Sequence, residues 1–347
     1  LEIMTKKAKM KNELDTNRRN FIKKSASIAA LMSVPSFMQP TSADHLGAVL
    51  PTRKLGSTGL DATIFCVGGG PVPVPTGSDA GEIIDEAIKG GCRFFETARQ
   101  YGSGQSEMAW GQYLTPKYRK NIVLMSKCQA RNSDDVNRDL EASLTALKTD
   151  FLDIYMMHGI GSKDDVDSRF KNGVFDALVR AKEEGKIRHI GFSGHNDPEA
   201  HNYLINKNLD DLEVVIFPIN LADPHRKSFV LNTLPLAVKR NMGVIAMKVF
   251  GGGAFKGEDI KWGNDVGQSR PSIMPDIVTP TEAQHFSLSL PITATSIGCH
   301  TRDHVKQAIA NARSFSGMTE AKRQELTERV SEIYWKYNVE HYKAPGT

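Results

Sequence analysis

What most constrains this chain is a repeat. Apolar runs able to form buried strands recur at Thr63–Gly69, Cys92–Ala98, Asn121–Cys128, Phe151–His158, Ile187–Gly194, Glu213–Asn220, Gly243–Val249 and Thr293–Gly298, and their starts are spaced by 29, 29, 30, 36, 26, 30 and 50 residues. Most are rich in Val, Ile and Phe without strict alternation, as strands covered on both faces are. The stretches between them carry helical spacing. Val136, Leu140, Leu144 and Leu147 share one face, as do Val174, Leu178 and Ala181. Asp197-Pro198-Glu199 has the make-up of a helix start. A β-then-α unit repeated eight times in about 250 residues predicts an α/β fold of the (β/α)8 TIM-barrel type. An open doubly wound sheet is the alternative. Gly68-Gly69-Gly70 is followed by Pro71 and opens no helix, so the dinucleotide fingerprint of that fold is missing. Residues 250–280 form a long Gly- and Pro-rich connection after the seventh run, of the kind that serves as a lid or binding segment. Residues 319–343 read as a charged C-terminal helix with Leu326, Val330, Ile333 and Tyr334 on one face.

The formal charge of +4 invites a nucleic-acid reading until it is located. Residues 1–43 hold eight Lys/Arg against three acids, a net +5, which leaves −1 for the remainder of the 347-residue chain. Nucleic acid is therefore not an expected partner. The basic segment contains Arg18-Arg19-Asn20-Phe21-Ile22-Lys23, and a weakly apolar run from Ser25 to Met38 leads to the small residues Thr41-Ser42-Ala43. That order resembles a twin-arginine export signal. The expectation is a leader over 1–43, recognised by export machinery, then one barrel domain over 44–347, monomeric and periplasmic or exported. Without a working leader the protein would stay cytoplasmic. Four Cys without Cys-x-x-Cys spacing exclude a disulfide scaffold and suggest buried thiols.

Chemistry in such barrels sits where strands end. The second run ends in Phe95-Glu96-Thr97-Ala98 with Tyr101-Gly102 just beyond; the third ends in Lys127-Cys128, the fourth in His158-Gly159 and the fifth in Ser193-Gly194-His195-Asn196. A carboxylate at Glu96 would hold the Lys127 ammonium. A cation beside Tyr101 would lower its pKa from the usual value near 10. A tyrosine so placed can hand a proton to a carbonyl oxygen, with His158 donating a hydrogen bond to the same atom.

These residues resemble the aldo-keto reductase family. Arg53-Lys54-Leu55-Gly56-Ser57-Thr58-Gly59-Leu60 is similar to its N-terminal β-hairpin. Glu96-Thr97-Ala98-Arg99-Gln100-Tyr101-Gly102 resembles its Asp-Thr-Ala-x-x-Tyr-Gly motif, and Ile190-Gly191-Phe192-Ser193 its strand-five motif. The resemblance covers roughly 52–315. It implies nicotinamide-dependent reduction of a small carbonyl or oxidation of an alcohol. By carry-over Tyr101 is the general acid, Lys127 its partner, His158 the orienting donor and Glu96 the acid paired with Lys127. The family's tetrad acid is Asp, so the extra methylene of Glu96 must bend or shift Lys127. Of the residues that hold the nicotinamide carboxamide, Ser193 remains, helped by Asn196 or Asn220. Gly194 stands where Asn is usual and Ile216 where Gln is. Met247 replaces the stacking aromatic, with Lys248, Phe250 and Gly251 beside it. After the eighth run, Gly298 and Cys299 offer backbone N–H groups to a phosphate, with His300 beside them in the cofactor-binding segment. His304 stands where an Arg is expected, and Gln307 where an acid is. NADP(H) is favoured, with NAD(H) open.

Two other classes compete. Glu96, His158, His195 and His300 near strand ends would suit a metal-dependent barrel hydrolase or isomerase. A non-catalytic barrel that retained a nucleotide pocket is the third reading.

Overall fold

The computed structural model describes residues 41–70, 74–253, 255, 277–337 and 339–343. The basic leader and most of the 250–280 connection lie outside those residues. Two small hairpins come first: β1 (Ser42–Asp44) with β2 (Gly47–Val49), and β3 (Thr52–Lys54) with β4 (Asp61–Thr63). Eight parallel strands then close a barrel: β5 (Phe65–Gly68), β6 (Phe94–Glu96), β7 (Val123–Cys128), β8 (Leu152–Met157), β9 (Ile187–Ser193), β10 (Leu212–Pro218), β11 (Gly243–Met247) and β12 (Ala294–Gly298). Spatial order follows chain order, and β12 pairs back onto β5 through Thr295↔Phe65 to Gly298↔Gly68. The expected (β/α)8 barrel is therefore the fold, and every strand end lies within two residues of its apolar run. Thr63 belongs to the hairpin and not to the barrel.

Two layers of packing hold the barrel. Phe94, Met125, Ile154, Met156, Val214 and Ile245 fill its interior, and Leu55 and Ala62 of the second hairpin close its floor. Between strands and helices lies a larger apolar layer that takes in Val136, Leu140, Leu144 and Leu147 from the helix Ser133–Leu147. Asp197 caps the helix Pro198–Ile205, its Oδ1 accepting from the Glu199 N–H at 2.9 Å. The 36-residue interval holds two helices, Lys163–Lys171 and Val174–Glu183, where one was implied. All four Cys are free buried thiols.

The chain ends differently from expectation. The last helix covers Glu320–Tyr337 and does not run to 343. Residues 339–343 turn back into the body and bury Lys343, which pairs with Asp223 and Glu340, each at 2.7 Å. At the other end Asp44 grips the Arg93 guanidinium with both oxygens, at 2.8 and 2.9 Å. A cut after Ala43 would leave Asp44 as the first residue and sever β1. Among the described residues no helix is long and apolar enough to cross a membrane.

Candidate active site

Glu96 is the last residue of β6, and the turn after it is sewn to β7. The N–H of Thr97 donates to Met125 O at 2.8 Å and that of Arg99 to Lys127 O at 3.0 Å. Gly102 and Ser103 take left-handed backbone (φ 58° and 54°), which folds Tyr101 back over the strand ends. Gly70 lies against that ring; a Cβ there would sit 2.8 Å from a ring carbon.

These turns bring Lys127, at the end of β7, against three acceptors. Its Nζ donates to Thr97 O at 2.8 Å and to Tyr101 Oη at 3.2 Å, and it forms an ion pair with Glu96 Oε1. An ammonium has three hydrogens, so the site is filled. Tyr101 Oη donates in turn to Glu96 Oε1 at 3.2 Å. The other carboxylate oxygen, Oε2, accepts from Ser296 Oγ at 3.1 Å. The extra methylene of Glu96 is thus accommodated without breaking the Lys127 contact.

His158 closes the fourth side. Its ring stands edge-on to Tyr101, with centroids 5.7 Å apart, and its Nδ1 lies 3.1 Å from Gln100 Oε1. Buried Arg169 donates to His158 O at 3.1 Å and is held by Asp165. Gln100, Arg169 and Ser296 are site residues that sequence reading missed. Ser296 left a trace there as a polar residue inside an apolar run, and Gln100 as a member of the motif that carries Tyr101.

Burial dominates the electrostatics. It pushes the Tyr101 hydroxyl above the ordinary tyrosine value, with the Cys66 thiol adding to the rise. The expected lowering by Lys127 does not appear, which corrects that reading. Burial also drives Lys127 well below the usual lysine value and keeps His158 and His195 neutral across the ordinary range, with Lys248 contributing in each case.

The residues expected to meet the cofactor fall into three groups. Ser193 accepts from the Gly159 N–H at 3.3 Å, which leaves its own hydrogen to donate. Met247 is buried at the end of β11, followed by Lys248 in left-handed backbone (φ 55°), half-buried Phe250 and Gly251. Burial lowers the Lys248 ammonium to about 7. Gly298 ends β12, and Cys299 and His300 follow it; His304 Nδ1 accepts the His300 N–H at 3.2 Å, and Gln307 is exposed. Asn220 departs from its expected role. Its Nδ2 donates to Glu340 and Tyr342, and its Oδ1 accepts from Ala222 and Asp223, so it anchors the C-terminal segment. The reason for Gly194 is steric: a Cβ there would collide with Ile160 O and the His201 ring. Among the described residues no three His, Cys, Asp or Glu are grouped to hold a metal ion. Glu96, a ligand in the metal reading, faces Lys127 instead.

The model of the aldo/keto reductase family matches residues 68–332. The chain belongs to the aldo/keto reductase family. An uncharacterized oxidoreductase of Bacillus subtilis, YqkF, is 29% identical over 207 residues, which is 56% of this chain and 63% of that protein. L-galactose dehydrogenase of Arabidopsis thaliana is 31% identical over 156 residues, 41% of this chain and 48% of its own. With these two relatives the matched stretch stays under two thirds of their length. The aldo-keto reductase AKR11C1 of Bacillus halodurans, in its holo form, superposes with a TM-score of 0.64 at 21% identity, over 81% of this chain and 96% of that one. That last likeness is one of fold.

Proposed function

We propose that this protein is an oxidoreductase that reduces the carbonyl group of a small aldehyde, ketone or sugar-like substrate. The observation that carries the reading is Tyr101 Oη, held between Lys127 Nζ and Glu96 Oε1 with His158 alongside. The site's donor set fits a nicotinamide dinucleotide: the Ser193 hydroxyl for the carboxamide, half-buried Lys248 for the phosphates, and the start of the helix Arg302–Ser314 at the far end. When bound, the nicotinamide supplies a hydride, two electrons with one hydrogen, to the carbonyl carbon. Tyr101 supplies the matching proton: its O–H bond breaks as one forms at the carbonyl oxygen. Lys127 steadies the phenolate left behind, and His158 orients the oxygen. The product is the alcohol, and Tyr101 regains its proton from solvent.

The nucleotide is NADP(H) in this reading. A cavity of about 430 Å³ at the helix start carries Arg302 and Lys306, the cations a 2′-phosphate requires. NAD(H) is the second reading, favoured by Asp79 and Glu82 in the same wall and by the pairing of Arg302 with Glu86 at 3.2 Å and of Lys306 with Asp303 at 3.2 Å.

Residues 1–43 suit export of the folded protein through a twin-arginine route. Nicotinamide nucleotides are scarce outside the cytoplasm, so the nucleotide would travel bound. Two measurements test the proposal. Denaturing the purified exported protein should release a nicotinamide nucleotide. Wild type should oxidise NADPH with members of an aldehyde and ketone panel, while Tyr101→Phe binds NADPH and turns over at least about a hundredfold more slowly. Stoichiometric bound metal without nucleotide binding would sink the proposal. Nucleotide binding with no turnover across the panel would favour the non-catalytic barrel.

A further inference from the structure

The Glu96 carboxylate is fixed from two sides, and only one of them belongs to the proton-transfer set. Its Oε1 serves Lys127 and Tyr101, while its Oε2 accepts from Ser296 Oγ at 3.1 Å. That second bond crosses a strand. Ser296 lies on β12 and Glu96 on β6, and β5 runs between them, pairing Ser296 with Cys66 and Glu96 with Gly68. Gly68 makes the crossing feasible: a Cβ there would sit 3.1 Å from Ser296 Oγ and 3.2 Å from Glu96 Oε2, in the gap the bond spans.

We propose that Ser296 is a positioning residue for proton transfer, holding the Glu96 carboxylate across Gly68 so that its other oxygen meets Lys127 and Tyr101 together. The inference rests on the carbonyl-reductase reading. It also explains how Glu works where the family uses Asp. An Asp here would be about 1.5 Å shorter, which puts Ser296 beyond hydrogen-bond reach. A free carboxylate oxygen would let the side chain rotate, and the Tyr101 proton would then lose a fixed partner. Around Glu96 stand Lys127 on β7, Tyr101 after β6 and Ser296 on β12; the Cys66 thiol on β5, which burial keeps neutral, interacts with Ser296 and Lys127, Lys248 adds to the field on Lys127 and His158, and Lys127 and Arg169 add to that on His158.

The test is a double-mutant cycle on the full chain with NADPH and an aldehyde that wild type reduces. Ser296→Ala should lower kcat about tenfold while leaving both the dissociation constant of NADPH and the KM of the aldehyde unchanged. In a Glu96→Asp background the same substitution should change kcat less than about twofold. Ser296→Cys, of nearly equal size and a weak donor, should behave like the alanine variant and serves if that one folds poorly. Equal losses in both backgrounds, or an unchanged kcat in the Glu96 background, would overturn the proposal. If wild type reduces no carbonyl, the functional reading fails by itself. The positioning role is then read at neutral pH by NMR of ring-labelled tyrosine: a Tyr101 Cζ chemical shift displaced by Ser296→Ala supports it, and an unmoved shift refutes it.

Discussion

Gly194 shows how a single residue can be legible in identity and opaque in cause. Its departure from the family pattern is plain in the sequence, but the reason lies 7 residues on, where His201 packs its ring against the strand end. Restoring the family residue with Gly194→Asn should therefore not restore the missing contact. The added side chain collides with Ile160 O and His201, and overpacking of this kind costs about 1–3 kcal/mol. Thermal melts should show the loss, and NADPH titration should show no tighter binding. Lys127 and His158 were readable because each stands at a strand end, where the repeat locates it, and Tyr101 because it belongs to the motif just beyond β6. The protonation of Tyr101 was not readable, because burial decides it and a sequence does not display burial. A tyrosine whose pKa is raised stays protonated through neutral pH, so the acid form is fully populated, although each proton is given up less readily. Carbonyl reduction should accordingly stay flat across neutral pH, whereas alcohol oxidation, which needs the phenolate, should rise steadily with pH. Rates measured in both directions from pH 6 to 10 check this, and an oxidation rate that peaks near neutral pH would contradict it.

At the scale of elements, the strands were legible to within two residues because covered parallel strands are apolar throughout. The C-terminal segment was not. Leu326, Val330 and Tyr334 are buried on one face as the helical spacing implied, but nothing in that spacing marks the end at Tyr337. Lys343 and Glu340 look like surface charges in sequence, yet both are buried, because Asp223 and Asn220 lie 120 residues earlier and meet them only in the fold. Lys343 Nζ also donates to Arg226 O at 2.9 Å, so the ammonium is enclosed by Asp223, Glu340 and this carbonyl. Removing it leaves two buried carboxylates facing each other. Lys343→Met should destabilise the protein by about 3–5 kcal/mol, the usual cost of breaking a buried ion pair from one side. Denaturant unfolding reads the total. A smaller loss accompanied by faster proteolysis near 338–343 would show that the segment detaches locally and that the barrel stands without it.

The molecule as a whole has a pH limit set by its buried histidines. His201 is fully buried among Phe192, Phe217 and Phe229, with ring centroids 5.0 to 6.1 Å away. Burial lowers its pKa to about 4, and His225 is lowered to about 4 by the same cause. Both are near 6.5 in an unfolded chain. The unfolded state therefore binds protons first as pH falls, so the stabilisation is intact above pH 6.5 and drains away between 6.5 and 4. For His201 alone the loss by pH 5 is about 2 kcal/mol. Paired carboxylates such as Asp44, Asp165 and Glu213 pull the same way only at lower pH, because their folded pKa values lie below the ordinary carboxylate range. The melting temperature should thus fall between pH 7 and 5, before these paired carboxylates are protonated. In His201→Phe the added ring matches the surrounding aromatic cluster but gives up the hydrogen bond between Nδ1 and Asp197 O, so this variant starts less stable at pH 7. Its melting temperature should nevertheless drop less steeply towards pH 5, and a slope equal to that of wild type would show that His201 is not the group that sets the limit.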